Sequence, residues 1–270
     1  MPSLTTLGYQ TDFFFHHYEA EVSEKAPYYC IRTPTNPSYH YGNYLVFKQA
    51  PRAADYSHWR SYFHDELGRH YARKQHELYG WDSTEIGDTQ PFIDAGFQLD
   101  HSSVMTLQTL THTWVIPAGI TLRPLASPAD FEQAIALQTQ ITQENGYSNA
   151  RVFHEAKMTS YQRMIADGLG CWFGAFAGDT LAAHMGLFWQ SGIGRYQEVA
   201  THPSMRRRGI ARALTHYVAD YGLSRRQLKT LVIVADVDYH AKDLYQSIGF
   251  RHTENQFALY WHADMPTELR

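Results

Sequence analysis

The stretch Val199-Ala200-Thr201-His202-Pro203-Ser204-Met205-Arg206-Arg207-Arg208-Gly209-Ile210-Ala211 decides how this chain is read. It joins a strand pattern over Arg195 to Thr201, closed by Pro203, to a helix pattern that begins at Arg208. In that helix Ile210, Ala213, Leu214, Tyr217, Val218 and Tyr221 form one apolar stripe, with Gly222 as its expected stop. A strand that feeds a helix through a glycine-containing loop aims backbone N–H groups in one direction. Those donors and the positive end of the helix suit a phosphate or pyrophosphate. Gly209 and Ala211 remove bulk where such a ligand would approach. Arg206, Arg207 and Arg208 add positive charge at the same place.

The elements on either side have legible patterns. Upstream, Ile120, Leu122 and Leu125 alternate with polar residues around Pro124, as a first strand would. Ser127, Pro128 and Asp130 form a helix start: a cap, a proline in the first turn and a capping-box acid. A second helix is expected from Arg151 to Ala166, stopped by Gly168 and Gly170. Cys171 to Phe176 and Leu181 to Phe188, joined by Gly178-Asp179, read as a hairpin. Downstream, Leu231 to Ala235 is a continuous apolar run, expected as a central strand covered on both faces. His240 to Ser247 reads as a short helix and Phe257 to Trp261 as a last strand. The order βααβββαβαβ predicts an α/β fold with a mixed central sheet flanked by helices.

The loop resembles motif A of the GNAT acetyltransferases, whose usual form is Arg/Gln-x-x-Gly-x-Gly/Ala; here it is Arg206-Arg207-Arg208-Gly209-Ile210-Ala211. The family also carries a helix written roughly Asn-x-x-Ala-x-x-Leu-Tyr and then Gly-Phe. This chain has Asp238 through Ala241 to Leu244-Tyr245, then Gly249-Phe250. Asp238 stands where the family commonly has asparagine; it accepts hydrogen bonds but does not donate as an amide does. The resemblance covers about residues 120 to 263 and implies the acyl-CoA N-acyltransferase fold, with acetyl-CoA held in a split between two parallel strands. It implies that the backbone from Arg207 to Ala211, beside Arg206, cradles the pyrophosphate. It places Val199, Ala200 and Thr201 along the pantetheine arm, and Asp238 and Ala241 at the cofactor with Tyr245. Tyr245 matches the proton donor to the departing thiolate. Glu198 matches an acid that takes the proton of the amine, in a strand register that a one-residue slip would reverse.

The rest of the chain is less legible. A domain of residues 120–270 leaves 1–115 as an accessory α+β domain, with the connector near Thr111 to Pro124. Phe13 to Tyr18, Tyr28 to Arg32, Tyr44 to Phe47, Leu78 to Trp81 and Ser103 to Leu110 are expected strands. Ala53 to Lys74 and the stretch before Gly96 are expected helices. Gly96-Phe97 echoes Gly249-Phe250, but no Arg-x-x-Gly-x-Gly/Ala segment precedes it, so this half reads as a degenerate GNAT-like domain that shapes a substrate site or a subunit contact. The loop Asn36 to Asn43 is open to two readings, structural or a wall of an acceptor pocket. His184 and His202 are secondary candidates.

With 270 residues the chain has room for two such domains. A formal charge of −4 gives no basic excess for nucleic acid. Two cysteines, Cys30 and Cys171, cannot build a disulfide scaffold or a cysteine-rich metal site, and no metal is expected. No apolar run reaches a membrane-spanning length and no signal peptide is visible, so a cytoplasmic protein is expected. Aromatic residues are 14% of the chain, which excludes disorder without naming a ligand. The expected partner is a small-molecule or peptide amine, with a homodimer left open. A non-catalytic acyl-CoA sensor and a structural protein on the same scaffold are the alternatives.

Overall fold

A computed structural model describes residues 3–37, 39–68, 76–111, 113–144, 150–237 and 241–263. The chain divides into two compact units. One takes the chain up to Val104, the stretch from Val234 and the tail from Thr253; the other takes Met105–Ile233 and the stretch up to His252. The division follows space rather than sequence, because the last strand of the chain groups with the first unit.

In the second unit the strands β6 (Ile120–Pro124), β7 (Gly170–Ala177), β8 (Thr180–Gln190), β9 (Ile193–Thr201) and β10 (Thr230–Asp236) lie in the order β10-β9-β8-β7-β6. All neighbours are antiparallel except β9 and β10, which run parallel. Helices α4 (Pro128–Glu144), α5 (Ala150–Ala166), α6 (Ile210–Asp220) and α7 (Ala241–Gln246) complete it. The start of α4 is the capping box its sequence foretells. Asp130 N–H donates to Ser127 Oγ at 3.2 Å, and Ser127 N–H donates back to Asp130 Oδ2 at 3.1 Å. Leu231, Val232 and Ile233 are buried, as a strand covered on both faces requires. Gly222 does not end the helix; the chain continues through Tyr221–Arg225 in a wider π-type turn. The reason is packing. A Cβ on Gly222 would lie 2.8 Å from Leu231 Cδ2 and 3.1 Å from Leu187 Cδ2.

The first unit repeats part of this plan. The strands are β1 (Glu21–Glu24), β2 (Tyr28–Arg32), β3 (Tyr44–Phe47), β4 (His76–Trp81), β5 (Gln98–Leu107) and β11 (Arg251–His262). Their order is β1-β2-β3-β4-β11-β5, with β3 and β4 parallel. The C-terminal strand β11 is thus inserted beside β4, pairing Ala258 with Gly80 through His262 with His76. Helices α1 (Leu7–Glu19), α2 (Asp55–Glu66) and α3 (Gln90–Asp94) pack on the sheet. Phe13 to Tyr18, expected as a strand from its aromatic density, lies in α1. Its buried residues Tyr9, Phe13 and His16 recur at helical spacing, and the burial of that face outweighs aromatic strand preference. Helix α2 is shorter than the Ala53 to Lys74 expectation, whose end lies outside the described residues.

Rings fill the first unit. Phe47 stacks on Trp59 at 3.6 Å between centroids, Trp59 also meets Phe92, and Trp81 stacks on Phe257 at 5.8 Å. This core accounts for much of the aromatic excess, which serves packing rather than ligand binding. Tyr28, Phe63, Tyr79 and Phe97 belong to the same cluster.

Candidate active site

Strand β9 and helix α6 frame the loop singled out from the sequence. The parallel register of β9 and β10 covers three pairs, Ile193 with Thr230 through Arg195 with Val232. Beyond it β9 runs on to Thr201 and β10 to Asp236. Val199, Ala200 and Thr201 therefore sit past the last shared pair. On the other side Ala200 pairs with His184 and Thr201 with Ala183 on β8, which keeps the strand extended.

The loop that follows is built from local bonds. His202 Nδ1 accepts from Ser204 N–H at 3.3 Å and starts the turn Pro203–Met205. Arg206 Nε donates to Thr201 O at 3.3 Å, tying the loop to the strand end. Arg207 and Gly209 both take left-handed backbone, φ 64 and φ 76. Gly209 is the N-cap of α6, and no side chain caps the helix. The first-turn amides, Ile210 and Ala211 among them, have no acceptor inside the helix. No acidic residue lies in that turn. Arg206, Arg207, Arg208 and Gly209 are exposed, and an added Cβ on Gly209 would meet only Pro117, at 3.9 Å. An uncapped helix end, an accessible glycine and exposed guanidinium groups fit a pyrophosphate.

Glu198 lies in a bulge. His184 pairs with Ala200 and Gly186 with Gln197, so Glu198 and Val199 together face the single residue Met185. Its φ is 49, a left-handed backbone unusual for a non-glycine residue. Its carboxylate accepts from Tyr161 Oη at 3.2 Å and from Gln138 Nε2 at 3.1 Å. Gln197 Nε2 donates to Tyr161 Oη at 2.9 Å. Sequence reading missed Gln138, Tyr161 and Gln197. Nothing in a polar residue of α4 or a tyrosine of α5 reveals that it meets a strand bulge.

Tyr245, on α7, is 4% exposed, and its ring meets Phe250 edge-on at 6.1 Å. Phe250 in turn meets Tyr196 of β9 at 5.6 Å. Tyr196 donates to Thr215 O, and burial together with nearby Tyr245 pushes its pKa well above the usual phenol value. Tyr245 and the strand that bears Glu198 thus border one aromatic cluster. Asp238 lies outside the described residues, and so does the side chain of Ala241.

His184 is core. It is fully buried, Nδ1 accepts from Trp172 Nε1 at 3.1 Å, and burial lowers its pKa to about 3. The loop Asn36 to Asn43 folds around buried Asn43, whose Nδ2 donates to the Asn36 and Tyr39 carbonyls. Among the described residues no His, Cys, Asp and Glu group could hold a metal ion.

Residues 137–269 match the family model described as acetyltransferase (GNAT) domain. The fold is GNAT-like. It is similar to that of a functionally unknown conserved protein from Staphylococcus epidermidis ATCC 12228, at TM-score 0.72 and 12% identity over 91% of this chain and 95% of that one. It is also similar to a GCN5-related N-acetyltransferase from Kribbella flavida, at TM-score 0.66 and 14% identity over 97% and 96% of the two chains. A tandem GNAT protein from the clavulanic acid biosynthesis pathway matches at TM-score 0.53 and 13% identity, over 92% of this chain and 79% of that one. No curated protein matches the sequence. Among the described residues no helix is long and apolar enough to cross a membrane. The GNAT-like region contains the β9 bulge, the arginine loop and α7.

Proposed function

We propose that the chain is an N-acetyltransferase that moves the acetyl group of acetyl-CoA to an amine by direct attack in a ternary complex. One observation carries the reading. The parallel register of β9 and β10 ends at Arg195, and the exposed arginine loop and uncapped α6 follow at the end of β9. The GNAT model match over residues 137–269 supports it.

Arg206, Arg207 and Arg208 would hold the pyrophosphate, with the backbone from Arg207 to Ala211. Val199, Ala200 and Thr201 would border the pantetheine arm, and Asp238 and Ala241 would flank it. Acetyl-CoA supplies the activated thioester. The chain must then manage two protons. Glu198 takes one from the ammonium so that a neutral amine can attack. Tyr245 holds the other until the leaving sulfur needs it, which suits a phenol with an intrinsic pKa near 10. The acceptor is a small-molecule or peptide amine.

The first unit is a degenerate copy without a cofactor site. Its parallel strands are paired to their ends, and Asp82 N–H adds a bond to Phe47 O at 2.7 Å. Calorimetric titration with acetyl-CoA should therefore give one site per chain. Thiol release across an amine panel then tests transfer. Binding without release from any amine would leave a sensor, and no binding would leave a structural protein.

A further inference from the structure

The carboxylate of Glu198 is gripped from behind by two helices. Tyr161 of α5 donates to one oxygen and Gln138 of α4 to the other. The Gln138 amide also reaches the Glu198 backbone carbonyl at 3.5 Å. A phenol hydroxyl can rotate, but this one accepts from Gln197 Nε2 at 2.9 Å, which directs its own hydrogen toward Glu198. The ring itself has little freedom. Tyr161 is 1% exposed, lies 5.0 Å from Trp172 and 5.2 Å from Phe188, and carries Lys157 Nζ over its face at 5.0 Å. The gripped residue sits in left-handed backbone, a conformation that persists only when its surroundings hold it.

We propose that Tyr161 and Gln138 are positioning residues that hold Glu198 as a carboxylate and keep the β9 bulge in place for the amine. This rests on the acetyl-transfer reading above. Hydrogen bonds to the ionised form of a carboxyl favour that form. A carboxylate held by two fixed donors is also kept at one place, so the ammonium meets an oriented acceptor. The titratable groups in this layer are Tyr161, Lys157 and His154 on α5 and His184 on β8. His154 and His184 are both held neutral by burial, which leaves the phenol and amide as the donors that set the carboxylate.

The test uses the full chain carrying Tyr161→Phe or Gln138→Ala. Carbon-13 labelling of glutamate, with Glu198→Gln assigning the signal, follows the Glu198 carboxyl through a pH titration. Loss of either donor should raise its midpoint by about one pH unit. The acid limb of kcat/KM should move up by the same amount, while acetyl-CoA affinity stays within about twofold. Gln138 is half-buried, so Gln138→Ala keeps the test open if Tyr161→Phe fails to fold. An unmoved carboxyl midpoint in a folded variant would overturn the proposal. If the wild-type chain acetylates no amine, the transfer reading fails, and the carbon-13 midpoint alone decides the grip on Glu198.

Discussion

The two units each contain one pair of parallel strands followed by a helix, and the pairs differ in one respect. In the first unit, β3 and β4 are registered to their last residues, Phe47 with Trp81, and Asp82 N–H closes the end onto Phe47 O. Asp82 is itself pinned, accepting from the Thr5 and Thr6 amides at 2.7 and 2.8 Å. The helix after β3 starts with its own acid, Asp55, which accepts from Arg52 N–H. In the second unit the register ends three pairs in, and the helix after β9 begins with an uncapped glycine and three arginines before it. The topology of a parallel pair is therefore not what makes a ligand site. Strands that part and a helix end left without a partner of its own make it.

The comparison breaks most sharply in the core of the first unit. Trp59→Ala is expected to cost about 3–5 kcal/mol, because it empties the stack on Phe47. Denaturant melts should show that loss while acetyl-CoA affinity of the folded protein stays unchanged; a matching loss of affinity would mean that the first unit shares in binding. Acid should weaken both units. His40 in the first and His184 in the second are each lowered to about 3, chiefly by burial. A histidine with a depressed folded pKa binds more protons when unfolded, so stability falls as pH drops from about 6.5 toward 3. Urea midpoints across that window should decline, and His40→Asn should flatten part of the slope.

On the other side of the comparison, Tyr245→Phe should lower kcat about 100-fold with little change in acetyl-CoA affinity. An unchanged kcat would remove Tyr245 from the acid role. Gly209→Val forces a β-branched residue into φ 76, at a cost of about 1–2 kcal/mol, and should weaken acetyl-CoA binding about tenfold by calorimetry. The space around Gly209 is open, so strain rather than collision is the cause. Smallest is Asp55→Ala at the start of α2. It should cost about 0.3–1 kcal/mol of stability and create no second acetyl-CoA site.

Much of the second unit could be read from sequence because its signals are local. The Ser127 and Asp130 capping box, the α6 stripe and the Arg206 to Ala211 loop each act within a few residues of themselves. The first unit was harder because its rings mislead. Phe13 looks like a strand residue until the face it shares with Tyr9 and His16 is seen to be buried. Gly222 looks like a helix stop until Leu231 and Leu187 are seen against it.

The sequence alone thus determined the order of elements, the arginine loop and the tyrosine on the short helix, since propensity, capping and spacing are short-range. Tertiary structure decided three other things. It inserted β11 beside β4 in the first unit. It closed one parallel pair and let the other part. It brought Gln138 and Tyr161 to the carboxylate of Glu198. Each depends on which distant backbone or side chain satisfies a hydrogen-bonding group, and that pairing is set by packing across the fold.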